Sequence, residues 1–388
     1  MSRPLAEPPR RVSLAPPRER AAAPHALAGG GPAVILGAQS ECAPIRPDAR
    51  SLFGPRGATV TADGCLWVAD TGHHRLLGWP ARPAADGAAA GLLLGQRDAG
   101  GEARNAGGAV EAGGFAMPTG LCAVGEGLAV ADAWNHRVLL WRRAPRRSGQ
   151  PPDLVLGQGD FRAGAINRGR PGPDADTLYW PYAVHYDGQR LWVADTGNRR
   201  VLRWDRLPGH HGTPADAVLG QPDFRQRDEN AGAVGAGSLR WPHALAHWRG
   251  ALVIADAGNN RVLCWRQAAP PSGCAADAVL GQADFHGLDH NRGHYWPTAG
   301  SLNMPYGLAV LGEALLVADT ANSRLLRYDT FGPATALAGQ AGFADKGDNR
   351  WQRMARDTLC WPYAVAAHGD TAIVVDSGNN RVLLWPQR

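Results

Sequence analysis

The chain has 388 residues, of which 44% are hydrophobic and 19% charged, a balance that excludes an intrinsically disordered polypeptide. Its formal net charge is +5, and the first fifty residues supply +3 of it through seven Arg against four Asp and Glu. The remainder is nearly neutral, which argues against the clustered positive face that nucleic-acid binding needs.

Residues 1–31 are rich in Pro, Ala, Arg and Gly without periodicity, and the expectation is a flexible, disordered tail. Residues 32–388 read as one domain, because they repeat. Asp70, Asp132, Asp195, Asp256, Asp319 and Asp376 each end an apolar run, at intervals of 62, 63, 61, 63 and 57 residues. Each is followed five residues on by an arginine: Arg75, Arg137, Arg200, Arg261, Arg324 and Arg381. Self-similarity at such a period identifies a unit that packs against its own copies.

The second copy shows the unit. Met117–Val124 is an apolar run with Pro118 near its start, and Gly125-Glu126-Gly127 is a hairpin turn. Leu128–Asp132 is the next strand, Ala133–His136 a tight turn, Arg137–Trp141 a third strand, and Leu154–Gln158 a fourth. Four antiparallel strands repeated six times accumulate twist and leave free edges unless they close into a ring. The expected fold is therefore all-β, a six-bladed β-propeller of four-stranded blades.

The fourth strand ends in Leu-Gly-Gln or a close variant, at Gln96, Gln158, Gln221, Gln282 and Gln340. The sixth unit has no such strand after it, but Val34-Ile35-Leu36-Gly37 is an early imperfect copy. Residues 33–38 are thus expected to complete the last blade beside residues 361–386 and lock the ring.

Asp195-Thr196-Gly197-Asn198-Arg199-Arg200 and Asp256-Ala257-Gly258-Asn259-Asn260-Arg261 resemble the NHL repeat. The Leu-Gly-Gln-x-Asp-Phe element, as at Gln158-Gly159-Asp160-Phe161, is similar to that of some bacterial stand-alone NHL proteins. The resemblance spans roughly residues 33–388 and implies a six-bladed propeller. The Ala, Gly, Pro and Arg excess also suits a GC-rich bacterial gene.

Six equivalent Asp–Arg pairs cannot serve one substrate, so they are expected to fix hairpins. The Asn two residues before the arginine (Asn135, Asn198, Asn259, Asn322, Asn379; His73 in the first copy) suits a turn with positive φ or a side-chain-to-backbone bond. Trp79, Trp141, Trp204, Trp265, Tyr328 and Trp385 should pack between blades. The long connections carry Asn105, Asn167, Asn230, Asn291 and Asn349, which read as repeated turns.

The residue after each inner-strand proline varies: Arg56, Thr119, Tyr182, His243, Tyr306 and Tyr363. These six should ring the channel mouth and form the ligand- or partner-contact surface, since aromatics and Arg dominate contact hot spots. His286, His290 and His294 share one loop and could hold a divalent metal. Arg142–Arg147 is a basic run on the opposite face, read as a solvated loop.

Cys42, Cys65, Cys122, Cys264, Cys274 and Cys360 form no Cys-x-x-Cys pair, so neither a disulfide framework nor a usual zinc site is expected. No stretch reaches the roughly 18 apolar residues of a membrane span. A cytoplasmic, monomeric ring without a cofactor is the expectation. The sequence carries no phosphate loop, Gly-x-Ser-x-Gly elbow or His-Glu-x-x-His. The leading function is a non-enzymatic scaffold whose loop-rich face meets a protein partner or small ligand. The alternatives are a metal-dependent lyase or hydrolase with its ion over the central channel, and, last, RNA binding. The resemblance carries both, since some NHL-like propellers are lyases and some animal ones bind RNA.

Overall fold

The computed structural model describes residue 14 and residues 21–387. Six four-stranded antiparallel sheets form the ring, five of them in simple chain order from inner to outer strand. The sixth takes its inner three strands from Pro362–His368, Thr371–Asp376 and Arg381–Pro386, and its outer strand from Val34–Gly37. The register there is Val34 opposite Leu384 and Leu36 opposite Val382, so the early copy closes the ring as expected. Among the described residues no helix is long and apolar enough to cross a membrane.

The core lies between blades rather than at one centre. Successive side chains of a strand point to opposite sheet faces, and here both faces are covered. Ile35 therefore packs with Leu316 and Leu325 of blade five. Its neighbours Val34 and Leu36 pack with Val68, Leu77 and Trp79 of blade one. This two-sided burial is why runs such as Leu191–Asp195 are continuously apolar up to the aspartate. The third-strand tryptophans also span blades. Trp204 of blade three joins the layer that holds Ala129 and Val138 of blade two, and its indole N–H donates to Thr213 O at 3.0 Å.

The Asp–Arg pairs are buried latches. In blade three, Arg200 Nε donates to Asp195 Oδ2 at 2.8 Å. Its Nη1 reaches Phe224 O, and its Nη2 reaches Asp174 O and Thr177 O at 2.9 and 3.0 Å. One guanidinium thereby pins the connections that enter and leave its blade. Asp195 Oδ1 also accepts the Tyr179 N–H at 2.7 Å. The recurring asparagines meet as amide pairs: Asn198 Nδ2 donates to Asn167 Oδ1 at 2.8 Å and receives the return bond at 3.1 Å. Positive φ falls one residue later than the sequence suggested, on His74, His136, Arg199, Asn260, Ser323 and Asn380. The asparagine itself sits inside a single 3-10 turn.

The Leu-Gly-Gln glycine has a definite reason. Gly220 has φ +86°, and a Cβ there would lie 2.5 Å from Leu239 Cδ1. Only glycine takes that conformation in so little space.

Each outer strand leaves one outward N–H and C=O to be satisfied. A glycine N–H from the next blade, with a nearby side-chain acceptor, does this for Ile35 (Gly87, Asp86), Leu93 (Gly149, Ser148), Val155 (Gly212, His211) and Val218 (Gly273, Ser272). Residues 23–28, expected within the tail, do it for blade five. Leu337 donates to Pro24 O and accepts from the Ala26 N–H, both at 2.9 Å, while Ala26 and Leu27 are buried. Of the expected tail, residues 1–13 and 15–20 lie outside the described residues. Val279 of blade four has no such partner among the described residues, because blade five runs from Tyr328 to Ala336 where blade four runs from Trp265 to Ala278.

Candidate functional site at the channel mouth

A proline opens each inner strand, at Pro118, Pro181, Pro242, Pro305 and Pro362 in blades two to six. The residue before it is left-handed in most blades: Gly54 (φ 51°), Met117 (55°), Trp180 (52°), Met304 (52°) and Trp361 (48°). A residue preceding proline is normally driven to extended backbone, so this conformation needs support. The support is the residue that follows the turn asparagine, or its His73 counterpart, in the preceding blade. The N–H groups of Gly54, Met117, Trp180, Met304 and Trp361 donate to Asn380 Oδ1, His74 Nδ1, His136 Nδ1, Asn260 Oδ1 and Ser323 Oγ, at 2.8 to 3.3 Å. Arg199 occupies that position in blade three, and Trp241 ahead of it is not left-handed.

The side chains of the residues after the prolines meet over the channel, His243 among them although no left-handed residue precedes its proline. The Tyr182 and His243 rings lie 4.6 Å apart, His243 stacks on Tyr306 at 4.3 Å, and Tyr306 meets Tyr363 at 4.8 Å. Arg56 closes the belt. Its Nη1 donates to Tyr182 Oη at 2.9 Å, and its guanidinium carbon sits 4.7 Å from the Tyr363 ring centre, within cation–π range. Thr119 is the exception to the sequence reading. It is buried, with Oγ1 toward Ala131 O and Pro181 O, because a side chain that short stays between blades; Arg56 spans the gap it leaves.

Burial drops the His243 imidazole to about 4, partly offset by its bond to Trp241 O and reinforced by Arg56. Burial likewise raises the Tyr306 and Tyr363 hydroxyls. At neutral pH the belt is thus a row of uncharged rings with one fixed cation.

Beneath it the channel encloses about 530 Å³, lined by all six inner strands. At the far end His247 Nε2 lies 2.8 Å from Ala268 O, so that nitrogen carries the proton. His247 Nδ1 then accepts from His185 Nε2 at 2.9 Å. Burial, then the neighbouring imidazole, lowers His185 to about 3. Beside the belt, on the loop face, a second cavity of about 250 Å³ is lined by Trp180, Tyr182, Arg199, Trp241 and His243 among others.

The other sequence-marked residues are dispersed. His286, His290 and His294 are all exposed, and His286 Nδ1 faces Val234 O at 3.1 Å. Among the described residues no three His, Cys, Asp or Glu side chains gather as a metal ion requires. The Arg142–Arg147 loop lies by the first hairpin turns, where Arg146 approaches Asp63 at 3.8 Å, opposite the belt. Sequence reasoning missed Trp180, Trp241, Arg199 and the His185–His247 pair. Only Arg199 carried a readable signal, standing where the other blades have an acceptor side chain.

The sequence matches no family model and no curated protein. Among solved structures, a protein of unknown function from Bacteroides thetaiotaomicron aligns with TM-score 0.50 at 12% identity, over 89% of this chain and 74% of that one. The virginiamycin B lyase of Staphylococcus aureus aligns with TM-score 0.45 at 12% identity, over 86% of this chain and 94% of that one. At such identities a likeness speaks to fold alone. Strand order, ring closure and the Bacteroides structure together make this chain an all-β, six-bladed propeller of four-stranded antiparallel blades.

Proposed function

We propose that the chain is an NHL-type propeller acting as a non-enzymatic binding module, whose loop-rich face receives a segment of a protein partner. The observation that carries this reading is the belt. Five of the six post-proline residues touch in sequence around one mouth, and exposed Trp180 and Trp241 extend the aromatic surface beside them. Such surfaces hold partner side chains by area and stacking, with little entropy lost from already packed rings. The NHL assignment rests on the Asp-x-x-Asn-x-Arg turns and their shared latch chemistry. A metal-dependent lyase or hydrolase has less support, since the post-proline positions offer a single imidazole and no carboxylate.

Random-peptide display against the purified protein tests the proposal. Selected peptides should share a large apolar or aromatic residue. They should lose at least tenfold in affinity for Tyr182→Ala and Tyr363→Ala, and keep it for Arg143→Ala on the opposite face. Peptides that bind all three variants like the parent would overturn the assignment of this face.

A further inference from the structure

Blade three breaks a rule that the other blades keep. At the position after the turn asparagine, or after His73, the residues His74, His136, Asn260, Ser323 and Asn380 all accept the N–H of the next blade's pre-proline residue. Arg199 cannot, because a guanidinium only donates. Two consequences meet at one place. The N–H of Trp241 is left without a partner among the described residues, and its backbone relaxes out of the left-handed region. Arg199 instead gives Nη1 to Arg227 O at 3.0 Å, while its buried Nε has no acceptor among the described residues.

Arg199 lines the 250 Å³ cavity on the loop face, together with Tyr179, Trp180, Tyr182, Trp241 and His243. Trp180 and Trp241 are 39% and 40% exposed, so two indoles remain open to an incoming group. Among the described residues no carboxylate lines the cavity. The nearby Glu229 is already paired with Arg240 at 2.9 Å. The cavity therefore joins aromatic walls to a guanidinium whose charge no described side chain neutralises.

We propose that this cavity binds a carboxylate carried on a planar apolar body, with the carboxylate against Arg199 and the body between Trp180 and Trp241. A planar guanidinium fork matches the two oxygens of a carboxylate. A volume near 250 Å³ suits one aromatic residue rather than a larger molecule, for which pockets of roughly 300–1,000 Å³ are usual. The inference rests on the loop face being the binding face and narrows it to one pocket and one chemistry. The same chemistry has two sources, a free aromatic acid or the C-terminus of a partner ending in an aromatic residue.

Titration calorimetry with indole-3-propionate, and with Gly-Gly-Trp as free acid and as amide, tests it in wild type and Arg199→Asn. The substitution restores the acceptor that Asn260 and Asn380 supply, so the variant should melt no lower than wild type. Wild type should bind the peptide acid at least tenfold more tightly than the amide, and that ratio should fall toward one in Arg199→Asn. Binding of indole-3-propionate as tight as the peptide acid marks a free acid as the ligand. Binding of the peptide acid alone marks a chain terminus. Equal binding of acid and amide, or no binding of either acid, overturns the proposal. Displayed peptides that need Tyr182 and Tyr363 but ignore their terminal charge would leave the wider reading standing while this one falls.

Discussion

His136 uses its Nδ1 lone pair to hold the Trp180 N–H, a role that protonation would abolish. Burial, and after it the Arg104 charge, lowers that imidazole from 6.5 to about 4, and His74 shifts in the same direction. With the folded value depressed, the unfolded chain takes up the proton first as pH falls. The contribution of neutral His136 is complete above pH 6.5 and is lost as pH falls toward about 4. The urea midpoint should therefore drop between pH 7 and pH 5, with His185 adding to the drop. His136→Asn keeps an acceptor that does not titrate, and should shrink the drop; an identical pH profile in the two proteins would refute the role. These roles were half legible from sequence. Five of the six post-proline residues could be placed at the mouth because proline fixes where their side chains start, and Thr119 could not. The two tryptophans were not, and Arg199 showed only as a break in the repeat, because its meaning lies in a bond that three-dimensional alignment of the blades reveals.

The strands themselves were readable nearly residue by residue, since latch, turn and apolar run recur at fixed spacing. Segment 23–28 was not, because it pairs through main-chain groups that composition does not encode. The short 57-residue interval between Asp319 and Asp376 did carry a signal. It marks the abbreviated connection of blade five, which leaves the outward main-chain groups of Val279 in blade four without a partner among the described residues. Amide exchange gives the measure: the Val279 N–H should exchange at least tenfold faster than those of Val155, Val218 and Leu337, which are bonded to His211, Ser272 and Pro24. Equal protection at all four would show that Val279 is covered after all.

The ring as a whole depends on Val34–Gly37 lying beside Arg381–Pro386. Leu36 is fully buried there, in the layer between blades six and one. Leu36→Asp should cost roughly 3–5 kcal/mol of stability, the usual penalty of an unpaired charge in a packed core, read from denaturant unfolding. A change under about 1 kcal/mol, typical of an exposed position, would mean that the closure carries little weight. The same join sets a timetable. A ribosome makes the first of these two strands and then, at about 5–20 residues per second, spends on the order of tens of seconds before its mate emerges. Throughout that wait a growing crescent carries two raw flanks, one at each end. The protein thus has a long exposure to mispairing during its own synthesis, and the arrival of Arg381–Pro386 is what ends it.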